Sequence, residues 1–396
     1  MYTVKNLHVS PPIRLPSTCC GDNGAAVIGD ILKSTEHQLE SLQIVQNFVG
    51  TSGATQLAEA IATVEGGRLT SLDLSWNPDM SDDGTITIAN ALCTENCMLT
   101  TLGLAGCNIA DTGVTALARS ILGIVTPVDV DASDSDTCTS SAATATATTS
   151  SSCLTSLSLY ANNITSVGAT QLGNALKSAS CLLERLDLRV NEVGDAGANA
   201  ILNGTGQTEW SKLAYLDLEK NDLTCECVPS ICKSLSSPCS TLTRLHLCNN
   251  SIGDEGCRAL VHGLTSEHST LTYIDLNRNK ISNKGVFELA KALSIHQNNN
   301  TTTSILQKLF LYSNPFADTE EGKTEAAVSM FGSISTTGVQ CQLMDLGGIE
   351  LNRGSTATML QGLTNRDVLN SIRKKNTTNE EDNEEDNEDD STNDDT

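Results

Sequence analysis

The sequence predicts an α/β solenoid, a curved horseshoe with parallel strands on its concave face and helices on its convex face. Two observations predict this fold. The frame Leu-x-x-Leu-x-Leu-x-x-Asn recurs about every 29 residues, and a glycine followed by an apolar run of helical spacing comes after most copies. A fixed period of this length is typical of a repeat array, in which no unit can bury its apolar side alone.

The frame is kept along most of the chain, in about ten units. A degenerate first copy is predicted at Val4, Leu7 and Val9, and a later copy, at Leu99, has Cys107 in the asparagine position. The other copies are Leu39, Leu42, Ile44 and Asn47; Leu69, Leu72, Leu74 and Asn77; Leu154, Leu157, Leu159 and Asn162; Leu183, Leu186, Leu188 and Asn191; Leu213, Leu216, Leu218 and Asn221; Leu242, Leu245, Leu247 and Asn250; Leu271, Ile274, Leu276 and Asn279; and Leu306, Leu309, Leu311 and Asn314.

Each unit combines a strand with a helix. The Leu-x-Leu core alternates between inward and outward positions, as a short strand does. The run that follows, for example Gly168, Ala169, Leu172 and Ala175, has the spacing of one helix face. Strands stack at about 4.8 Å, whereas helices need roughly 8–10 Å between their axes. The array is therefore expected to curve, with the strands inside.

The recurring asparagine is expected to have a structural role rather than a catalytic one. Its side-chain amide can both donate to and accept from backbone groups at the turn that leaves each strand. Such a turn otherwise leaves backbone groups without partners. The frame therefore predicts an asparagine buried at every strand end.

The repeat unit resembles the ribonuclease-inhibitor class of leucine-rich repeats, with an asparagine after the strand and a glycine before a full helix. The resemblance covers roughly residues 1–340. That class includes ribonuclease inhibitor, the sensor arms of nucleotide-binding leucine-rich-repeat receptors and the Ran GTPase-activating proteins. It implies the fold, but it implies no single function, because such arrays serve many unrelated tasks.

The chain is predicted to have three regions. Residues 1–339 form the repeat array, residues 340–375 form a C-terminal cap with an amphipathic helix, and residues 376–396 form a disordered acidic tail. The array is interrupted at 123–152 by a segment rich in Ser, Thr, Ala and Asp. Such a composition buries too little apolar surface to offset its ordering entropy. The segment is interpreted as a tolerated surface insertion or as a phosphorylatable docking loop.

The charge balance limits the classes of partner. The chain has 24 Lys and Arg against 48 Asp and Glu, which argues against nucleic acid or an anionic membrane as the main partner. No apolar run is long enough to span a bilayer, and the first twenty or so residues resemble no secretory signal. A cytoplasmic location is predicted, with the nucleus as an alternative.

Fifteen cysteines are present, and several occupy core positions of the repeat, such as Cys107, Cys232 and Cys257. Buried, reduced thiols behave as small apolar side chains, and this favours a reducing compartment. The densest cluster contains Cys225, Cys227, Cys232 and Cys239, but its spacing does not match paired zinc ligands. Neither a metal nor another cofactor is predicted.

Catalytic motifs are not found. Gly322-Lys323-Thr324 resembles the end of a phosphate-binding loop, but Ala317 occupies the position that this loop reserves for glycine. The chain contains neither an H-E-x-x-H nor a G-x-S-x-G motif. The protein is therefore predicted not to be an enzyme and to take no small-molecule substrate.

The outward strand positions provide the candidate binding site. In the first units they are small or bland residues, such as Ser41, Gln43, Thr101 and Gly103. Farther along they become aromatic and charged, and aromatic residues and arginine dominate binding energy at interfaces. The alternative is a solvated polar face in which aspartates pair with arginines. The predicted partner-binding residues are Tyr160, Arg185, Asp187, Arg189, Tyr215, Asp217, Glu219, Arg244, His246, Tyr273, Asp275, Asn277, Phe310 and Tyr312.

Two functions are carried forward. The first is a non-enzymatic interaction module or scaffold that binds a protein partner on the concave strand face. The alternative is a GTPase-activating protein of the Ran type, because Asn162 and Asn163 match that family's asparagine-bearing loop. The family also needs an arginine on an early loop, and the equivalent loops at residues 76–79 and 106–108 contain none.

Overall fold

The computed structural model describes residues 13–15, 19–34, 39–63, 68–124, 152–206, 209–295, 306–315, 343–345 and 350–352. Its strands form one sheet in which every strand pairs with the next along the chain. The pairs from the first strand to the eleventh are parallel, and the last pair is antiparallel. The strands are β1 (Ile13–Arg14), β2 (Ser41–Gln43), β3 (Ser71–Asp73), β4 (Thr101–Gly103), β5 (Ser156–Ser158), β6 (Arg185–Asp187), β7 (Tyr215–Asp217), β8 (Arg244–His246), β9 (Tyr273–Asp275), β10 (Lys308–Phe310), β11 (Leu343–Asp345) and β12 (Glu350–Asn352).

A helix follows each of the first nine strands and packs against the helix of the next unit. Helix and strand therefore alternate along the chain, as the frame predicts. Because helices are wider than strands, the solenoid curves with its strands on the concave side. The helices are α1 (Gly21–Leu32), α2 (Thr51–Ile61), α3 (Ser81–Ala91), α4 (Asp111–Ile121), α5 (Ser166–Ala175), α6 (Gly194–Gly206), α7 (Val228–Leu235), α8 (Gly253–Leu264) and α9 (Asn283–Ile295).

The core lies between the sheet and the helices, and the frame leucines fill it. Leu72, Leu157 and Leu188 are among those with no exposed surface. The central leucines of neighbouring strands are in register, and the register is kept across the long insertion, where Leu102 pairs with Leu157. The insertion therefore leaves the sheet continuous. Residues 125–151 of that insertion lie outside the described part of the chain.

The position predicted for the first unit is wrong. The frame was expected at Val4, Leu7 and Val9, but β1 lies at Ile13–Arg14, where Ile13 pairs with Leu42. Ile13 precedes Leu42 by the ordinary repeat period, whereas Leu7 is too far upstream. The period thus gives the register of this unit correctly where the weak apolar pattern does not.

The predicted role of the asparagines is confirmed. Asn77 is fully buried, and its Oδ1 accepts the backbone N–H groups of Asn47 and Val49 at 2.9 and 3.0 Å. Its Nδ2 donates to the carbonyls of Ile44 and Leu74. Asn162, Asn191, Asn221, Asn250, Asn279 and Asn314 make equivalent bonds. We call this row the asparagine ladder.

Cys107 occupies one of the asparagine positions of that ladder and makes different hydrogen bonds. Its thiol donates to the carbonyls of Leu74 and Ala105, but a thiol has no amide oxygen to accept the N–H groups of the preceding loop. That loop contains Pro78 and makes a short 3-10 turn at Pro78–Met80. The one unit whose ladder residue is a cysteine thus follows a loop of different conformation.

A second ladder, which the sequence analysis did not predict, connects the helix starts. Asp111 at the start of α4 accepts the N–H groups of Thr165 and Gly168 in the next unit, both at 2.9 Å. A methyl group on Gly168 would lie 2.6 Å from the Asp111 carboxylate, so only glycine permits this approach. We call this row the aspartate ladder; its carboxylates belong to Asp22, Asp82, Asp111, Asp195 and Asp254.

Two strands follow β10 within the predicted cap region. β11 extends the parallel sheet, and β12 turns back antiparallel to it. The amphipathic helix predicted for the cap and the acidic tail lie outside the described residues. Both remain predictions.

Candidate functional site

A continuous row of rings crosses the second half of the concave face. The rings belong to Tyr215, His246, Tyr273 and Phe310, and their centroids are separated in turn by 5.1, 4.6 and 5.1 Å. The guanidinium of Arg185 lies 3.5 Å from the Tyr215 ring centroid and closes the row at one end. We call these five side chains the aromatic row. It spans five consecutive units.

Strand alternation places the row on this face. Tyr215 and Tyr273 are the first residues of β7 and β9, whereas His246 and Phe310 are the third residues of β8 and β10. Both positions point away from the core leucine between them. The rings therefore meet diagonally across neighbouring strands, a separation that aromatic side chains can bridge. Stacking of this kind fixes the rings before any partner arrives.

A buried ionic group lies beside the row. Arg189 donates to both carboxylate oxygens of Asp187, at 3.0 and 2.8 Å, and its Nε lies 3.5 Å from the carboxylate of Asp217. The Tyr215 hydroxyl also donates to Asp217, at 2.9 Å. We call Asp187, Arg189 and Asp217 the carboxylate cluster. A single guanidinium thus serves two carboxylates.

The pKa values of these groups follow from burial and from that shared cation. Burial raises the pKa of Asp217 to about 7, despite the N–H of Glu219 and the nearby Arg189. His246 lies 4.0 Å from Asp217, but burial and three nearby arginines lower its pKa to about 4. At neutral pH the histidine is therefore uncharged and supplies no second cation. Burial also raises the pKa of Tyr215 and of Tyr273 to about 12.

A smaller aromatic contact lies nearer the amino-terminal end. Trp76 meets Tyr160 edge to face at 5.9 Å, and Arg189 lies 4.9 Å from the Tyr160 centroid. Gly106, with φ of +62°, lies directly beneath the indole; a methyl group there would come within 2.4 Å of the ring. Sequence analysis missed Trp76, which is 46% exposed. It lies in the loop after a strand, and the strand pattern does not cover that position.

The predicted binding residues differ in their exposure. Arg185, Arg244 and Tyr312 are exposed, whereas the ring residues, Glu219, Asp275 and Asn277 are partly exposed. Asp187 and Asp217 are only 5% and 2% exposed, so they support Arg189 and Tyr215 from below rather than face solvent. For this pair, the alternative interpretation of aspartates paired with an arginine describes the structure better.

Several aspartates of this face also stabilise the strand ends. Asp187, Asp217 and Asp275 each accept the backbone N–H two residues farther along, at 2.9 to 3.1 Å. Asp73 in the amino-terminal half makes the same bond to Ser75. Their recurrence at one strand position therefore has a local structural cause, whether or not a partner binds.

Other kinds of site receive no support from the described residues. No three His, Cys, Asp or Glu side chains there are placed to hold a metal ion. Cys107, Cys227 and Cys257 are buried, and Cys232 donates to the carbonyl of Ala259 at 3.1 Å. Within the same ranges, no helix has the length and apolar character needed to cross a membrane.

Comparison with known proteins agrees with the repeat assignment. A family model described as Leucine Rich repeat matches residues 69–89, 95–118, 179–202, 239–261 and 267–290. The NACHT, LRR and PYD domains-containing protein 5 of Homo sapiens is 27% identical over 238 residues, which cover 59% of this chain and 19% of that protein. The ribonuclease inhibitor of Mus musculus is 26% identical over 234 residues, 59% of this chain and 44% of the inhibitor.

A shorter segment is closer to a relative. The ribonuclease inhibitor of Sus scrofa is 39% identical over 98 residues, 24% of this chain and 20% of that protein. Among solved structures, an internalin of Listeria monocytogenes aligns at 15% identity and a TM-score of 0.37, covering 83% of this chain and 88% of the internalin. The chain thus spans less than half of the length of these curated relatives. The chain therefore contains leucine-rich repeats, and these repeats are similar to those of ribonuclease inhibitor.

Proposed function

We propose that the protein is a non-enzymatic interaction module that binds a protein partner on its concave face, at the aromatic row. One observation carries this proposal: Tyr215, His246, Tyr273 and Phe310 form a stacked series that remains partly open to solvent. Repeats of this class are typical of protein–protein interaction modules. The aromatic row is what points to this particular face.

The energetics of binding favour such a row. Aromatic side chains and arginine contribute most of the binding energy at interfaces. Their contribution is larger when their conformation is already fixed before the partner binds. The Arg185 guanidinium and the Tyr215 hydroxyl already have partners within the protein. A partner would therefore cover an ordered surface and would lose little side-chain entropy.

The carboxylate cluster does not favour an enzyme. Asp217 has a pKa near neutrality and lies beside Tyr215 and His246. A group of side chains of this kind could act as a general acid or base. The Asp217 carboxylate is buried, however, and it bonds Tyr215 and the Glu219 N–H. We interpret the cluster as support for the aromatic row and not as a reacting centre.

The proposal is tested by capture experiments with two matched double variants. Tyr273→Ala with Phe310→Ala removes two rings of the row, and neither side chain donates a hydrogen bond within the described part of the chain. Trp210→Ala with Phe287→Ala removes two exposed aromatic side chains elsewhere, 48% and 54% exposed. Wild type and the control pair should capture the same protein from a lysate of the source cells, identified by mass spectrometry. The row variant should lose it. Capture that survives in the row variant would reject this face.

The alternative, a Ran-type GTPase-activating protein, would depend on Asn163. Asn162 is buried in the asparagine ladder, where it holds Cys107, Ile109 and Leu104. Asn163 is exposed and donates to the side chain of Asn108 at 2.7 Å. We expect no stimulation of GTP hydrolysis by a Ran-type GTPase in single-turnover assays with the full chain. A tenfold acceleration that Asn163→Ala abolishes would establish the alternative.

We also propose a cytoplasmic location, with the nucleus as the alternative. The support is the set of buried thiols at core positions, whose pKa values burial raises; that of Cys107 rises to about 12. Such thiols stay protonated and unreactive in a reducing compartment. Imaging of the tagged full chain in its source cells checks this, and secretion into the medium would contradict it.

A further inference from the structure

A basic pocket lies outside the concave face, among the loops that leave the strands. Its volume is about 510 Å³. It is formed by the loops after β7, β8, β9 and β10, so four consecutive units contribute to it. We call it the basic pocket, and the side chains that line it include Lys220, Asn249, Ser251, Arg278, Lys280 and Ser313.

The repeat geometry brings these side chains together. Lys220, Asn249, Arg278 and Ser313 all occupy the position just before the ladder asparagine of their units. All four have the same left-handed backbone conformation, with φ between 51° and 56°. Their side chains therefore lie at equivalent positions of successive loops, one beside the next. Ser251 and Lys280 follow the ladder asparagines of their own units and form a second line.

The charge of this pocket differs from that of the chain. The chain as a whole has a net charge of −24, yet three cationic side chains and the single carboxylate of Asp222 line the pocket. In the part of the chain that the structure describes, none of the three cations forms an ion pair. At the position before the ladder residue, earlier units have Gln46, Trp76, Gly106, Ala161 and Val190, which carry no charge.

We propose that the basic pocket binds a phosphoryl group. Arg278 can present parallel N–H donors to phosphate oxygens, and Lys220 and Lys280 can supply ammonium groups on either side. Ser251, Ser313 and Asn249 add uncharged donors, which complete the shell that a dianion with several acceptor oxygens requires. A single carboxylate ligand would leave most of these donors unused.

The pocket is separate from the aromatic row, because its residues lie in the loops and not at the outward strand positions. The inference therefore stands without the proposed protein-binding face. Two sources could supply the group: a phosphorylated side chain of a peptide, or a free phosphate. Both place the same chemistry in the pocket, and the experiment distinguishes them.

The test is isothermal titration calorimetry of the full chain at fixed ionic strength. The ligands are inorganic phosphate, a five-residue phosphoserine peptide flanked by alanines, and the same peptide without phosphate. Wild type should bind phosphate and the phosphopeptide but not the unmodified peptide. In Lys220→Gln/Arg278→Gln/Lys280→Gln, affinity for both should fall by at least about tenfold, because three charge-assisted contacts are lost.

A matched control removes the same charge elsewhere. Lys177, Lys212 and Lys233 are exposed and lie outside the pocket, so Lys177→Gln/Lys212→Gln/Lys233→Gln should bind phosphate as wild type does. Thermal melting by circular dichroism confirms that both triple variants are folded. Equal affinity in wild type and the pocket variant, or equal loss in both variants, overturns the inference. Tighter binding of the phosphopeptide than of phosphate identifies a modified protein chain as the source; the reverse order identifies a free phosphate.

Discussion

The two halves of the concave face have the same backbone arrangement, but their side chains give them different surfaces. In the first half, the outward positions of β2 to β4 hold Ser41, Gln43, Ser71, Asp73, Thr101 and Gly103, none of which is aromatic or cationic. In the second half, the same positions of β6 to β10 hold the aromatic row and the carboxylate cluster. The strands pair in the same register in both halves.

The scaffold beneath them does not change in the same way. Asn77 in the first half and Asn221 in the second both bond the preceding loop, and Asp22 and Asp254 both bond the helix start that follows. The core leucines and the two ladders are thus common to both halves, whereas most outward positions differ between them. One half of the surface is thus specialised while the strand pairing and both ladders are kept.

The strongest test of that separation is a charge in the core of each half. Leu74 and Leu188 occupy the same frame position, and both are fully buried. Leu74→Asp and Leu188→Asp should each lower the free energy of unfolding by more than about 4 kcal/mol, because an unpaired carboxylate is buried. Urea unfolding followed by circular dichroism measures the loss. An unchanged melt for either variant would contradict the register.

Removing a ladder asparagine should have the next largest effect. Asn77→Ala and Asn221→Ala each leave buried backbone donors and acceptors without partners, at about 2–4 kcal/mol in all. The two losses should agree, because the ladder is the same in both halves. If Asn77→Ala is neutral while Asn221→Ala unfolds the protein, the two halves do not share one scaffold. Asn174→Ala, at an exposed asparagine of α5, is the matched control.

The carboxylate cluster makes the second half sensitive to pH. Asp217 has a pKa of about 7 in the folded protein, against about 4 for an aspartate in an unfolded chain. At this carboxylate the folded state therefore holds more protons between these values, so the contribution of Asp217 to the free energy of unfolding falls as pH rises through this window. The lowered pKa of His246 contributes with the opposite sign between about 4 and about 6.5, in wild type and variant alike. Asp217→Asn should remove this fall and stabilise the protein at pH 8 relative to pH 4.5 by about 1–3 kcal/mol.

Chemical denaturation of wild type and variant at the two pH values measures that difference. Asp30→Asn, at an exposed carboxylate of α1, provides the control and should change stability by a similar small amount at both. An Asp217→Asn protein that keeps the full pH dependence of wild type would show that the carboxylate is charged throughout. The Arg189 guanidinium would then neutralise both aspartates.

Substitutions at the outward positions should have the smallest effects on the stability of the protein. Tyr273→Ala with Phe310→Ala removes ring stacking and should lower stability by about 1–2 kcal/mol, since an aromatic pair contributes about 0.5–1.5 kcal/mol beyond its buried area. Ser71→Ala in the first half should stay within about 0.5 kcal/mol of wild type. Thermal melts rank the two. A larger loss from Ser71→Ala would show that the first half is not a bare surface.

The inward-facing residues of each strand could be predicted from the sequence, for a physical reason. A leucine is buried because of its own position in the frame, and each ladder asparagine is buried for the same reason. The aspartate ladder escaped prediction because each of its bonds joins two different units, as Asp22 bonds the N–H of Gly50 in the next unit. A contact of that kind depends on how two units stack and not on either unit alone.

The candidate site was predictable only in outline. Alternation correctly points Asp217 away from the core, but it does not reveal that Tyr215 and Arg189 cover it. Trp76 was missed because it lies past the end of its strand. The basic pocket was missed because loop residues follow no apolar period, and their grouping appears only when four units are aligned side by side.

The two ladders run in opposite directions, and this gives the ends of the array different needs. Each asparagine serves the unit before it, as Asn77 does for Asn47 and Val49, whereas each aspartate serves the unit after it, as Asp111 does for Gly168. A fragment cut at its carboxyl end exposes loop amides, and one cut at its amino end exposes helix-start amides. Any shortened version of this protein therefore needs a different type of cap at each end, an acceptor amide at one and an acceptor carboxylate at the other.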